Sequence, residues 1–226
     1  LALGTAALAV SDGGTHDVTV EDRLGFAEAE LENALVQYIG DENVTYGSAG
    51  SGVFNSFVRV QEDPTERGYN TDGDLEFDTK KSEFTHSIKV SEIPTVQVGG
   101  TTYWEFFADI NDADNTPLIS LDELEIYLTA DKNLTGYPFG ANATLVYDFA
   151  GQIMINDVNQ GSGRGDLRYL VDIAGIDIPA GCSYGNPACT TYLVLYSKWG
   201  GSGTDEWASD GGFEEWKVKE YPVLTV

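Results

Sequence analysis

Oxygen-bearing side chains crowd one short stretch of this chain, Asp109-Ile110-Asn111-Asp112-Ala113-Asp114-Asn115. Carboxylate and amide oxygens at one- and two-residue spacing suit calcium, a hard cation that accepts many oxygen ligands in flexible geometry. The stretch is not an EF-hand loop, because Ala113 and Thr116 break the ligand spacing and no Gly follows at the turn. Asp109, Asn111, Asp112 and Asp114 are therefore candidate calcium ligands; the plainer alternative is a solvated acidic loop. Asp72-Gly73-Asp74 is a second candidate, although Asp-Gly is also ordinary turn chemistry. Glu214-Glu215 is flanked by Phe213 and Trp216. Neighbours on a strand face opposite ways, so these two carboxylates cannot act together on one bond, and a structural strand is expected there.

Other catalytic signatures are missing. His16 and His86 are the only histidines, and neither a Gly-x-Ser-x-Gly elbow nor a Gly-x-x-x-x-Gly-Lys phosphate loop occurs. No catalytic residues, no enzymatic activity and no organic cofactor are expected. Arg164-Gly165-Asp166 spells an adhesion tripeptide, but its Gly-Ser-Gly surroundings read as a turn. Trp104, Trp199, Trp207 and Trp216 could line a sugar-binding face; core anchoring is the commoner role, and Trp207, in a Gly/Asp-rich stretch, is the one expected to be exposed. Cys182 and Cys189 enclose Gly185-Asn186-Pro187, turn chemistry that brings their ends together. A disulfide in an oxidising compartment is the expected state, with two free thiols as the alternative. The sequons at Asn43, Asn133 and Asn142 point the same way, to glycosylation and an extracellular or cell-surface location.

With 37 acidic against 12 basic side chains, the net charge is -25. Such a surface repels nucleic acid and anionic membranes and attracts cations. No stretch is long and apolar enough to span a bilayer. Yet the first ten residues carry no charge at all, and they run into Ser11-Asp12-Gly13-Gly14-Thr15, a flexible link. Read as a strand, Leu1, Leu3, Ala6, Leu8 and Val10 make an apolar segment suited to burial on both faces. It is either a candidate donor strand or a remnant of leader processing.

The elements that must position these residues are mainly strands. Val53–Val60, Phe84–Val90, Tyr103–Ile110, Leu124–Thr129, Thr144–Phe149, Leu167–Ile173, Tyr192–Trp199 and Phe213–Val218 are rich in Val, Ile, Tyr, Phe and Trp and are separated by Gly, Asn, Asp and Pro. The expected fold is mainly β, a sandwich of jelly-roll or immunoglobulin-like type. Leu24, Ala27, Leu31, Leu35 and Tyr38 recur at helical spacing behind an acidic first turn, which predicts one short N-terminal helix over 21–38. The expected organisation is an extension over 1–15 followed by one sandwich domain over 16–226.

Several segments resemble secreted bacterial proteins that carry PEP-CTERM sorting tails. They include Ser51-Gly-Val-Phe-Asn-Ser-Phe-Val-Arg-Val-Gln61, Gly68-Tyr-Asn-Thr-Asp72, Phe107-Ala-Asp-Ile-Asn111, Leu118-Ile-Ser-Leu-Asp-Glu-Leu-Glu-Ile-Tyr127, Thr144-Leu-Val-Tyr-Asp148 and Gly212-Phe-Glu-Glu-Trp216. The resemblance implies an exported, surface-associated protein and carries no catalytic residues with it. This chain departs from that pattern in ending Tyr221-Pro-Val-Leu-Thr-Val226, without a PEP motif, and in its apolar first ten residues. Two functions of different class follow. One is a filament subunit polymerising with itself, head to tail, by N-terminal donor-strand complementation, similar in assembly logic alone to TasA-like and camelysin-like matrix fibres. The other is a secreted calcium-dependent carbohydrate-binding or surface-matrix protein with glycan partners.

Overall fold

The computed structural model describes residues 14–17, 28–38, 55–80, 83–111, 117–157 and 165–218. In chain order their strands are β1 (Thr15–Asp17), β2 (Glu28–Leu31), β3 (Ala34–Tyr38), β4 (Val58–Val60), β5 (Glu66–Tyr69), β6 (Ile88–Lys89), β7 (Thr95–Val98), β8 (Thr101–Asp109), β9 (Leu118–Thr129), β10 (Thr144–Asn156), β11 (Leu167–Asp172), β12 (Tyr192–Trp199) and β13 (Glu214–Val218). They make two mainly antiparallel sheets, the arrangement of a β-sandwich. The first runs β1-β10-β9-β12-β5, with β6 beside β12; the second runs β2-β3-β11-β8-β13-β4, with β7 beside β8.

Alternation along the strands builds the core. In β8, Trp104, Phe106 and Ala108 enter the main apolar cluster, as do Leu167, Tyr169 and Val171 of β11. From the first sheet come Leu124 and Ile126 of β9, Phe149 and Ile153 of β10, and Leu193 and Leu195 of β12. Burying each such large side chain contributes about 1.5–3 kcal/mol. Polar groups that cross the core are paired with one another. The Tyr147 and Tyr169 hydroxyls, from opposite sheets, lie 2.6 Å apart. The indole N–H groups of Trp199 and Trp216 both donate to Ser197 Oγ, each at 3.1 Å.

The helix expected over 21–38 does not form across residues 28–38, which fold as the β2–β3 hairpin; residues 18–27 lie outside the described part. The reason lies in the pattern. Ala29 and Leu31 alternate with polar Glu30 and face the core with Ala34 and Val36, while Glu32-Asn33 forms a two-residue turn. Asn33 sits at φ 61°, a left-handed conformation that Asn tolerates better than most residues and that ends a helix rather than continuing one. The strands expected from residue 53 onward overlap β4, β6 and β8 to β13, but β9 begins six residues earlier than expected, at Leu118, β10 runs on to Asn156, and β5 and β7 match no expected strand.

The outer face of the second sheet is buried as well. Glu105, Phe107, Asp109 and Glu215 are each 1% exposed or less. Arginines neutralise part of this face: Arg168 Nη2 lies 2.6 Å from Glu105 Oε1, and Arg59 Nε lies 2.7 Å from Glu215 Oε1.

Candidate functional site

The acidic stretch starts where β8 ends, at one rim of the second sheet. There β8 is flanked by β11 and β13, with Asp109 opposite Glu215. Asp166, just before β11, holds the strand end from one side: its N–H donates to the Ala108 carbonyl at 2.8 Å, and its Oδ2 accepts the Ile110 N–H at 3.0 Å. From the other side Asn111 Nδ2 donates to the Phe213 carbonyl at 3.1 Å. That contact sets Glu214, the first residue of β13, beside the same strand end. Glu214 is fully buried, and the backbone N–H of Asn111 approaches its carboxyl group without reaching close hydrogen-bond geometry. Burial pushes its pKa up to about 8; the nearby Asn111 N–H opposes the rise, and the charge of Glu215 adds to it. Among the described residues no three His, Cys, Asp or Glu side chains already stand around one point as a metal shell.

A second polar cluster lies on the outer face of the first sheet. Pairing sets Asp148 of β10 opposite Glu125 of β9, and Glu125 opposite Tyr196 of β12, which in turn faces Tyr69 of β5. Glu125 Oε2 accepts the Tyr127 hydroxyl at 2.6 Å. Lys198 Nζ lies 2.8 Å from Glu123 Oε1. Above them the Tyr137 ring stacks on Tyr196 at 4.3 Å between centroids, and Phe139 meets Tyr69 and Tyr127 edge-on. Burial raises the pKa of Glu125, helped by the charges of Asp148 and Glu123 and opposed by the Tyr127 and Tyr137 hydroxyls; burial and then Glu123 raise that of Asp148. Phe77 stays 42% exposed beside this cluster, its edge towards Tyr137.

The third feature is an edge. β10 is paired with β9 along its length, but on its other flank the only described strand is β1, in parallel, against Gln152–Met154. From Thr144 to Ala150, β10 thus has a described strand on one flank only, and Thr144 and Ala150 are exposed.

Of the candidate calcium ligands, Asp109 and Asn111 fall at the rim; Asp112 and Asp114 lie outside the described residues, as do the donor-strand residues Leu1, Leu3, Ala6, Leu8 and Val10 and the sequon at Asn43. Asn133 and Asn142 are both exposed in the connection from β9 to β10. Cys182 and Cys189 are joined as a disulfide and packed into the core. Asp72 is engaged structurally, its Oδ1 accepting the Ser87 N–H at 2.8 Å and its Oδ2 lying 3.2 Å from Lys132 Nζ. Asp166 of the adhesion-like tripeptide is fully buried, so it is not displayed for recognition. Trp104, Trp199 and Trp216 are core residues, while Trp207 is half-buried in a turn of 3-10 helix. Sequence reasoning placed Glu214 on a strand but missed its burial, and it missed the Glu125–Asp148 pair, which only strand register brings together.

No protein-family model, curated protein or solved structure matches the chain.

Proposed function

We propose that this protein is a structural subunit of an extracellular filament, polymerising head to tail by N-terminal donor-strand complementation of a jelly-roll or immunoglobulin-like sandwich. The flank of β10 that no described strand covers from Thr144 to Ala150 supports the reading. On that flank three residues of β1 pair with a strand running from Thr144 to Asn156. An edge of this kind presents backbone donors and acceptors to an incoming strand. The ten uncharged N-terminal residues extend about 33 Å, enough to run along Thr144–Ala150 of a neighbouring copy. Gly13-Gly14, at the entry to β1, supplies the freedom to swing the segment away from its own body. Such a contact joins two different surfaces and does not close, so it propagates as a fibre. The disulfide and the exposed sequons suit an extracellular location, and no helix among the described residues is long and apolar enough to cross a membrane.

Removal of residues 1–10 tests this reading. The full chain should sediment as polymer and form filaments in negative stain, and the truncated chain should run as a soluble monomer. Filaments from the truncated chain, or a full chain that stays monomeric at high concentration, would refute it.

A second reading is carbohydrate binding at the first sheet, favoured by the Tyr137–Tyr196 stack beside Glu123, Glu125 and Asp148. Aromatic faces stack on sugar rings, and carboxylates accept from sugar hydroxyls. It predicts glycan binding by a monomer, weakened by Tyr137→Ala, and a glycan array without hits speaks against it.

A further inference from the structure

We infer that in the unassembled subunit residues 7–13 lie as a parallel strand on their own β10, over Thr144–Ala150, and that assembly exchanges this cover for residues 1–10 of a neighbouring copy. The second half of the inference rests on the filament reading. β1 fixes the register. Thr15, His16 and Asp17 each pair with the β10 residue 137 positions later, which are Gln152, Ile153 and Met154. The contact continues towards the N-terminus, since the Gly14 carbonyl accepts the Gln152 N–H at 2.9 Å. At the same offset the chain sets residues 7–13 opposite Thr144–Ala150, the stretch whose flank no described strand covers. A parallel ladder is evenly spaced, so extending it needs no turn.

The residue pattern fits this register. His16 is opposite Ile153, a core residue, and its ring centroid lies 6.5 Å from that of Phe149. Tyr147, Phe149, Ile153 and Ile155 all enter the core, so the alternation of β10 carries through its irregularity at Ala150/Ile153, and the offset with it. Val10 then falls opposite inward-facing Tyr147, and polar Ser11 opposite Asp148 on the outer face. One position is unfavourable. Asp12 falls opposite Phe149, and an inward charge weakens the pairing of an edge strand. A neighbour's segment is not held to this register by β1. Its residues 1–10 carry no charge, so it covers the same stretch with Ser11–Gly14 left as linker. The self-cover shields the edge but is the weaker of the two pairings, and exchange of an identical element between copies converts one into the other.

Paired cysteines in the full chain test the inference. In dilute subunits Ser11→Cys with Asp148→Cys should close a disulfide within one chain on oxidation. Ala9→Cys with Asp148→Cys, two residues out of register, should not. The closed chain should stay out of filaments until a reductant too mild to open the buried Cys182–Cys189 bridge releases it. By hydrogen exchange, the amides of Thr144–Tyr147 should be at least tenfold better protected in the dilute full chain than in one lacking residues 1–10. Asp12→Val, which removes the inward charge, should slow filament growth severalfold. Wild-type filaments whose dilute subunits form no bridge between positions 11 and 148, or closed chains that polymerise like wild type, would overturn the inference and leave the filament reading standing. A bridge in a chain that never polymerises would remove the filament reading and keep the self-cover alone. Growth unaltered by Asp12→Val would overturn the account of why the cover yields.

Discussion

Replacing Glu214 by Gln should stabilise the protein at neutral pH, although it removes a native side chain from the interior. The carboxyl titrates at about 8 in the fold against an ordinary value of 4.5. Below pH 4.5 both folded and unfolded chains hold the proton, and the group costs nothing through ionisation. As pH rises from 4.5 to 8 the unfolded chain releases the proton while the folded one retains it, so stability falls; above 8 the loss is complete. At pH 7 the gap is about 2.5 pH units, worth about 3 kcal/mol at about 1.4 kcal/mol per unit. Glutamine has the same shape and no proton to lose. The stability difference between Glu214→Gln and wild type should therefore grow by about 3 kcal/mol between pH 4 and pH 7. Urea unfolding of both proteins at the two pH values measures it. Comparing the two differences cancels the other carboxylates and any packing change from the amide. A change below about 1 kcal/mol, or one of opposite sign, would refute the argument that this carboxyl is buried without compensation.

Two further perturbations test the packing that supports the rim. Ser197→Ala removes the acceptor shared by the Trp199 and Trp216 indoles and leaves two buried donors unsatisfied; a loss of about 2–4 kcal/mol is expected in denaturant unfolding, with a shift in tryptophan emission. Arg168→Leu strands the buried Glu105 carboxylate, and a loss of about 3–5 kcal/mol should follow at pH 7, lessened by simultaneous Glu105→Gln; equal losses in the single and double variants would show that the ion pair is not the cause.

Much of the sandwich is legible in the residues. Tyr192–Trp199 and Leu167–Ile173 carry runs of Val, Ile, Leu and aromatics bounded by turn chemistry, and each contains a central strand. The hairpin at Glu28–Tyr38 was misread because Leu31, Leu35 and Tyr38 also satisfy helical spacing. What decides there is the Glu32-Asn33 turn and the pairing of β3 with β11, a partner more than a hundred residues away. Local pattern carries no information about that partner.

The site was legible only in part. Asp109 and Asn111 stand out by ligand density, and density is local. Glu214 does not stand out, because alternation says only that Glu214 and Glu215 face opposite ways. It is the burial of both faces of the second sheet, shown by Glu105, Asp109 and Glu215, that turns an ordinary acidic pair into two enclosed carboxyls. Likewise Glu125 and Asp148 become neighbours only through the β9–β10 register, with its irregularities at Leu145/Tyr147 and Ala150/Ile153.

The filament reading meets its most direct test in a cryo-electron reconstruction of the native assembly. The account predicts a helical polymer in which residues 1–10 of one copy lie as a strand against Thr144–Ala150 of the next. A monodisperse particle, or a polymer in which each copy's first ten residues pair with its own β10, would contradict it.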